Sequence, residues 1–477
     1  MDVSDYAACD ATELASLIAS GRVSASQVQS AAATALDQVD SELAAVVGDR
    51  FDPLDYNADG PFSGVPFAIK DLIIHAAGVP QRNGSRLFGD GVTYPYDSHL
   101  MARFRRAGLA TMAVTTSPEM GFNATTEAKA YGKPTRNPWD TTRSSGGSSG
   151  GSAALVAAGA LPMAHANDGG GSIRIPAAAC GLVGLKPSRG RVSPGPDYSD
   201  PLLGMGIEFA VTRTVRDCAS LFDAVAGTEP GDKYLFPSAV DSFAESAARE
   251  SRPLRVAVSV DSGDPRRPVD QQCVLSVKAV AAQLESMGHL VEYAAPSIDM
   301  EMFNRANLDA WCSFLAQAVA GAGEQLGFTP GTDHLEATTL ACAEYGAKLG
   351  VRDVFAVENV FNTVRREYAR FLGSYDVILT PTTSSPNTEL GHLDADDDAL
   401  DAQGWADKIF EFGSFTAISN ATGNPAISLP LCTSSEGWPI GIQFIGAYGD
   451  EAKLLALAGD LEKAMPWEHR RPTVFAR

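Results

Sequence analysis

Apolar positions along the chain fall into stretches of helical period, short continuous runs, and a few segments dominated by glycine and serine. Leu14, Leu17 and Ile18 recur at helical spacing behind Asp10, a residue suited to capping, so a helix is predicted through Ala19. Ser24 opens a second predicted helix through Val39. The apolar run 65–69 is too short for a helix and stops at Lys70 and Asp71, which reads as a buried strand with charge at its end. Leu100, Met101 and Phe104 mark an amphipathic helix over 97–107, and 109–114 follows as a strand. This alternation predicts an α/β protein whose sheet is mostly parallel and covered by helices.

Farther on, 153–159 reads as a helix of small residues, 162–166 as a strand, and Ile173 as a second helix start. Texture changes over 240–375. There 254–260 is strand-like while 272–287 and 302–372 are mostly helical, the pattern of an inserted or capping region able to shape a pocket. Strand patterns return at 376–380, 426–429 and 440–445, and 451–464 closes the chain as a helix. The expected organisation is one domain over 1–477. Its core lies at 60–230, its capping region at 240–375, and 376–477 completes the sheet.

Composition narrows the function. Hydrophobic residues make up 45% and charged residues 20%, as in ordinary globular proteins, and the net charge is −21. That charge disfavours nucleic acid and anionic membranes as partners. The acidic run 394–401 reads as a solvated loop. The 7 cysteines contain no C-x-x-C pair, which fits reduced thiols in a cytoplasmic protein. No metal-ligand spacing occurs, and no cofactor is expected. Residues 1–6 lack a basic leader, and no apolar run is long enough to span a bilayer. A monomer or homodimer acting on a small molecule is expected.

The chemistry concentrates in two glycine-rich clusters, 146–152 and 169–172. A flexible linker would not sit between the Asn137-Pro138-Trp139 turn and an Ala/Leu/Val helix. A phosphate loop of the Walker type needs a lysine that neither cluster has. Gly146-Gly147-Ser148-Ser149-Gly150 matches the G-x-S-x-G elbow of an α/β-hydrolase-type esterase, with Ser148 as nucleophile. Its histidine would have to be His289, His334, His392 or His469, none in a telling context. A reading that uses both clusters has Gly169, Gly170, Gly171 and Ser172 presenting backbone amides at a helix start as an oxyanion hole, with Ser172 as the nucleophile beside it. Lys70 is then the candidate base, since burial lowers a lysine pKa. The residues alone favour Lys70 as a surface charge at a strand end over its role as base.

Ordered motifs around these clusters resemble the amidase signature family. They are GGSSGG at 146–151, Asp168 to Pro176, and Gly184 to Pro187, preceded by Gly64 to Asp71 and followed by Gly423 to Ala426 and Pro439 to Gln443. The resemblance implies a twisted mixed sheet with helices on both faces, and hydrolysis of amide C–N bonds, with esters and carbamates as further substrates. It makes Lys70, Ser148 and Ser172 a Ser-cisSer-Lys triad, with a cis peptide after Gly147, an oxyanion hole at Gly169–Ser172, and Ser149, Asp168 and Arg174 in support. The family more often has a larger residue where Gly169 stands, a departure expected to loosen that loop. Met120, Gly121 and Asn123 match a loop near the cis serine and are candidate substrate contacts. Cys312 is a candidate pocket thiol or a buried structural one. Segments 163–168 and 189–196 look most like a branch of cyclic 6-aminohexanoate dimer hydrolases, aryl acylamidases and urethanases. The A subunits of glutamine-dependent amidotransferases share the signature and are the alternative.

Overall fold

The computed structural model describes residues 1–236 and 241–477. Three helices open it: α1 (Val3–Ala8), α2 (Ala11–Ala19) and α3 (Ala25–Leu43). Asp10 caps α2 by accepting from the Glu13 amide, and Ser24 and Gln27 form a reciprocal capping box on α3. The first apolar run becomes β1 (Pro66–Lys70), buried along its whole length. A small hairpin, β2 (Pro80–Gln81) with β3 (Val92–Thr93), and then α4 (His99–Arg106) lead to β4 (Ala110–Thr115). β1 and β4 pair in parallel as a separate two-stranded sheet.

The glycine-rich part supplies α5 (Gly150–Ala157), β5 (Met163–Asp168), α6 (Arg174–Cys180), β6 (Val183–Lys186), β7 (Ile207–Thr212) and α7 (Val215–Val225). Next come α8 (Phe243–Ala248), β8 (Arg255–Val258), α9 (Gln271–Ser286) and β9 (Leu290–Tyr293). Three helices follow: α10 (Met300–Leu326), α11 (Ala337–Gly346) and α12 (Val351–Phe371). β10 (Val377–Pro381), α13 (Ala402–Phe412), α14 (Ala417–Thr422), β11 (Ala426–Thr433), β12 (Pro439–Gly446) and α15 (Glu451–Ala464) complete the chain.

Among the described residues the main sheet has eight strands in the order β5-β7-β6-β11-β12-β10-β8-β9. Pairing is antiparallel from β5 through β10, and only β10–β8 and β8–β9 are parallel. This corrects the mostly parallel sheet that helix–strand alternation predicts. β5 and β6 do flank a crossover helix, α6, but β7 returns and inserts between them antiparallel, which no local pattern reveals.

Two apolar cores result. One joins the sheet to α1–α3, α5, α7, α9 and α15. The other joins α10–α13 to Met120, Phe122, Ile175 and Leu202. The region expected to be helical begins at residue 240, outside the described residues. Its first half supplies β8 and β9 to the sheet edge, and α10–α12 form its wholly helical part.

α10 and α11 touch backbone to backbone where Gly346 meets Cys312. A Cβ on Gly346 would lie 1.9 Å from the Cys312 carbonyl oxygen, whereas one on Gly321 of α10 meets nothing within 4 Å. Gly346→Ala is therefore expected to destabilise the protein by about 1–3 kcal/mol through overpacking. Gly321→Ala is expected to stabilise it by about 0.5–1 kcal/mol through helix propensity. Urea unfolding of the two variants checks the opposite signs.

Candidate active site

β1 ends on Lys70, and β5 packs against β1 beside it. Lys70 is fully buried, which overturns its reading as a surface charge. Its Nζ donates to Ser148 Oγ at 2.7 Å and to Asn167 Oδ1 at 2.6 Å. Burial pushes the amine down to about 7, against the pull of Glu208, Asp168 and Asp71. A lysine in this state offers a lone pair near neutral pH, which an exposed one does not.

Ser148 follows a cis Gly147–Ser148 peptide. Gly147 is required by close approach, since a Cβ there would stand 2.4 Å from the Thr125 carbonyl oxygen. Ser149 accepts from the Asn167 amide at 3.3 Å and so braces the strand that holds the second acceptor of Lys70. The esterase elbow reading fails on partners, because Ser148 meets Lys70 and no histidine. His289 accepts from the Leu254 amide, and His334 packs on Phe328.

At the end of β5 the chain turns through Gly169, Gly170 and Gly171 to Ser172 and enters α6. Asp168 organises this turn. Its Oδ1 accepts from the Gly171 amide at 2.7 Å and its Oδ2 from the Ile173 amide at 3.1 Å. Arg174 closes on both oxygens, Nε at 2.9 Å and Nη2 at 2.8 Å. Burial alone would raise the Asp168 carboxyl, but the Arg174 guanidinium draws it down to about 2. The Gly171 N–H is thus spent inside the loop, which corrects its place among the oxyanion donors. The amides of Gly169, Gly170 and Ser172 donate to no described residue. The Ser172 hydroxyl, 7% exposed, likewise has no described hydrogen-bond partner.

Gly169 does not loosen the loop. A Cβ there would lie 2.9 Å from Trp311 Cζ2 and 3.0 Å from Leu202 Cδ2, so the ring of Trp311 fills the space a larger residue would take. Trp311 in turn stacks on Phe122, with centroids 4.5 Å apart. Gly121 is beside Ser148, whose Oγ would be 3.4 Å from a Cβ at that position. Met120 is buried in the same apolar core as Phe122 and Trp311. Asn123 has its carboxamide committed to the Leu393 carbonyl and to Thr125. Cys312 is fully buried with its thiol against Cys342, in the α10–α11 interface. The neighbour in sequence, Trp311, is the residue that reaches the loop.

Several participants carry no sequence signal of their own. Asn167 and His165 lie on β5 inside the segment 163–168, whose resemblance assigns neither a role. Asn420, on α14, donates to the Asp168 main-chain and side-chain oxygens at 2.7 and 2.8 Å. Arg174 also donates to Thr416 O, Ser419 Oγ, Gln443 Oε1 and Asn420 Oδ1. Of the four residues that accept from Arg174 here, Gln443 alone lies in one of the ordered family motifs.

A family model described as Amidase matches residues 20–455. The chain is 36% identical to the 6-aminohexanoate-cyclic-dimer hydrolase of Paenarthrobacter ureafaciens, over 98% of this chain and 97% of that one. A Pseudomonas protein of the same name is also 36% identical, with the same coverage. A solved structure of 6-aminohexanoate cyclic dimer hydrolase with substrate superposes with a TM-score of 0.91 at 34% identity, covering 98% of this chain and 99% of that one. A bacterial aryl acylamidase shares the fold, with a TM-score of 0.86 at 24% identity over 96% of both chains.

Arg174→Met leaves Asp168 buried without its counter-charge and frees four acceptors, on Thr416, Ser419, Asn420 and Gln443. The expected loss of stability is about 3–5 kcal/mol. A change below 1 kcal/mol in denaturant unfolding would show that the loop is held by other means.

Proposed function

The chain belongs to the amidase family and hydrolyses the carbon–nitrogen bond of amides, and on that premise we propose that Lys70, Ser148 and Ser172 form one relay with Ser172 as nucleophile. Neutral Lys70 takes a proton from Ser148, and Ser148 takes one from Ser172 as its Oγ attacks the substrate carbonyl. The oxyanion forms against the free amides of Gly169, Gly170 and Ser172. Such donors contribute about 3–4 kcal/mol each. The C–N bond then breaks, and the proton returns through Ser148 to the leaving amine. Water, deprotonated by the same relay, attacks acyl-Ser172, releases the acid and restores the hydroxyl.

The observation that carries this reading is the fully buried Lys70 amine 2.7 Å from Ser148 Oγ. It stands beside a turn whose unspent amides adjoin Ser172. The open position of the Ser172 hydroxyl is compatible with the reading, because catalytic hydrogen bonds commonly tighten only with substrate in place.

For substrate class we favour small, uncharged aliphatic amides such as cyclic oligomers of an ω-amino acid, with aryl amides, esters and carbamates as secondary substrates. Support comes from relatives named for a cyclic aminohexanoate dimer and from the apolar surroundings of the loop: Met120, Phe122, Ile175, Leu202 and Trp311. Segments 300–371 then form the region that shapes the pocket, and the chain works in the cytoplasm without a partner subunit.

A panel of anilide, ester, lactam and aryl carbamate substrates, given to the purified chain alone, tests this. Ser172→Ala is expected to abolish turnover and labelling by a fluorophosphonate, and Lys70→Ala to lower kcat at least about 1000-fold. An active Ser172→Ala with a dead Ser148→Ala would move the nucleophile to Ser148. Lys70 must be neutral to act as base. So kcat/KM is expected to climb about tenfold per pH unit below the Lys70 pKa of about 7 and to level off above it.

A further inference from the structure

Lys70 is held from two directions, and only one involves the groups of the relay. Its side chain meets Ser148 and Asn167, while its backbone amide donates to His165 Nδ1 at 3.2 Å. On the far side of the ring, His165 Nε2 lies 2.8 Å from Glu208 Oε2. Because Nδ1 accepts, the ring proton of neutral His165 is on Nε2 and is donated to the carboxylate. His165 is fully buried and Glu208 is 6% exposed. The sheet explains the alignment. His165 and Asn167 are alternate residues of β5 and share a face, and Glu208 stands directly opposite Asn167 on β7, diagonal to His165.

We propose that His165 and Glu208 are positioning residues for the catalytic lysine: the ring fixes the Lys70 backbone, and the carboxylate presents an uncompensated negative charge to the Lys70 amine. This rests on Lys70 being the base.

The other charges around Lys70 are already spoken for. Asp168 is neutralised by Arg174, and Asp71 accepts from the Tyr131 hydroxyl and from the amides of Arg82 and Gly84. Among the described residues no lysine or arginine pairs with Glu208. Its partner is His165, which burial keeps uncharged despite the carboxylate beside it. Tyr198, which also feels the Glu208 carboxylate, is a neutral phenol with its pKa up at about 12. Of the three carboxylates that oppose the discharge of Lys70 by burial, Glu208 therefore acts most strongly. Removing its charge should let the amine lose its proton at lower pH and make it a weaker base.

Glu208→Gln tests this, because it keeps the size and an acceptor for the His165 ring while removing the charge. The pH dependence of kcat/KM is read on the best amide of the panel. The rising limb is expected to move down by roughly half a pH unit or more, with a lower plateau. Glu208→Asp, which keeps the charge, is expected to leave the limb near its wild-type position. His165→Phe is expected to lower kcat about tenfold or more, because the Lys70 backbone loses its anchor. Fluorophosphonate labelling of Ser172 counts only folded sites, so its pH dependence gives the same reading if part of the Glu208→Gln preparation is unfolded. A limb that stays in place in Glu208→Gln, by both measures, overturns the proposal. A wild-type profile flat from pH 5 to 10 would instead remove the lysine base on which it rests.

Discussion

Lys70 lies at the end of a strand buried along its whole length, and its amine is closed off from water. An ammonium ion in that position would lose several kcal/mol of hydration that nothing nearby restores in full. The interior therefore brings the neutral amine within reach near pH 7. Neutrality alone does not orient a lone pair, however. Asn167 Oδ1 takes one N–H, which leaves the nitrogen free to face the Ser148 hydroxyl. Asn167 is itself fixed, since its Nδ2 donates to the Leu72 carbonyl at 3.1 Å and its backbone amide to Ser149. The strand pair β1–β4, the end of β5 and the start of α5 thus meet around one nitrogen.

Buried arginine and buried lysine near the turn are handled in opposite ways, and their chemistry explains why. Arginine cannot lose its proton in a protein, so a buried guanidinium needs a counter-charge and a full set of acceptors. Arg174 has both, through Asp168 and four further groups from α14 and β12. Lysine can discharge, so it is tolerated without an ion pair. Lys70 has none, and Lys186, also fully buried, donates only to the Pro187 carbonyl. Burial and the neighbouring Arg174 hold the Lys186 amine well below its ordinary range. The ion pair shapes the glycine turn, while the amine beside it is left able to gain or lose a proton near neutral pH.

Much of this was legible in the sequence, for reasons that differ from residue to residue. The caps of α2 and α3 and the buried run ending in Lys70 are local signals, written in a few adjacent residues. Asp168, Ser172 and Arg174 are local too, because one turn of glycines brings them together. Lys70 and Ser148 are 2.7 Å apart across a large sequence separation, and only the ordered motifs of the family joined them. Glu208 and Asn420 carried no signal, and His165 lay in a recognised segment without a role, because their roles depend on strand register and on α14 docking over the turn. The insertion of β7 between β5 and β6 was hidden for the same reason.

Gly169 shows how the helical part reaches the chemistry. Read alone, a third glycine in the loop suggests slack. In the fold its missing side chain admits the Trp311 ring, which stacks on Phe122, whose carbonyl accepts from the Trp405 indole at 3.2 Å. Trp311 lies on α10, adjacent in sequence to Cys312, whose carbonyl is where α11 approaches closest. The wall of the candidate site is therefore set by how tightly α10 packs on α11, one layer away from any reacting atom. A substitution at that helix contact would shift Trp311 against the loop without touching Lys70, Ser148 or Ser172. The Lys70–Ser148 contact thus depends on the sheet, and the shape of the wall beside it depends on the helices.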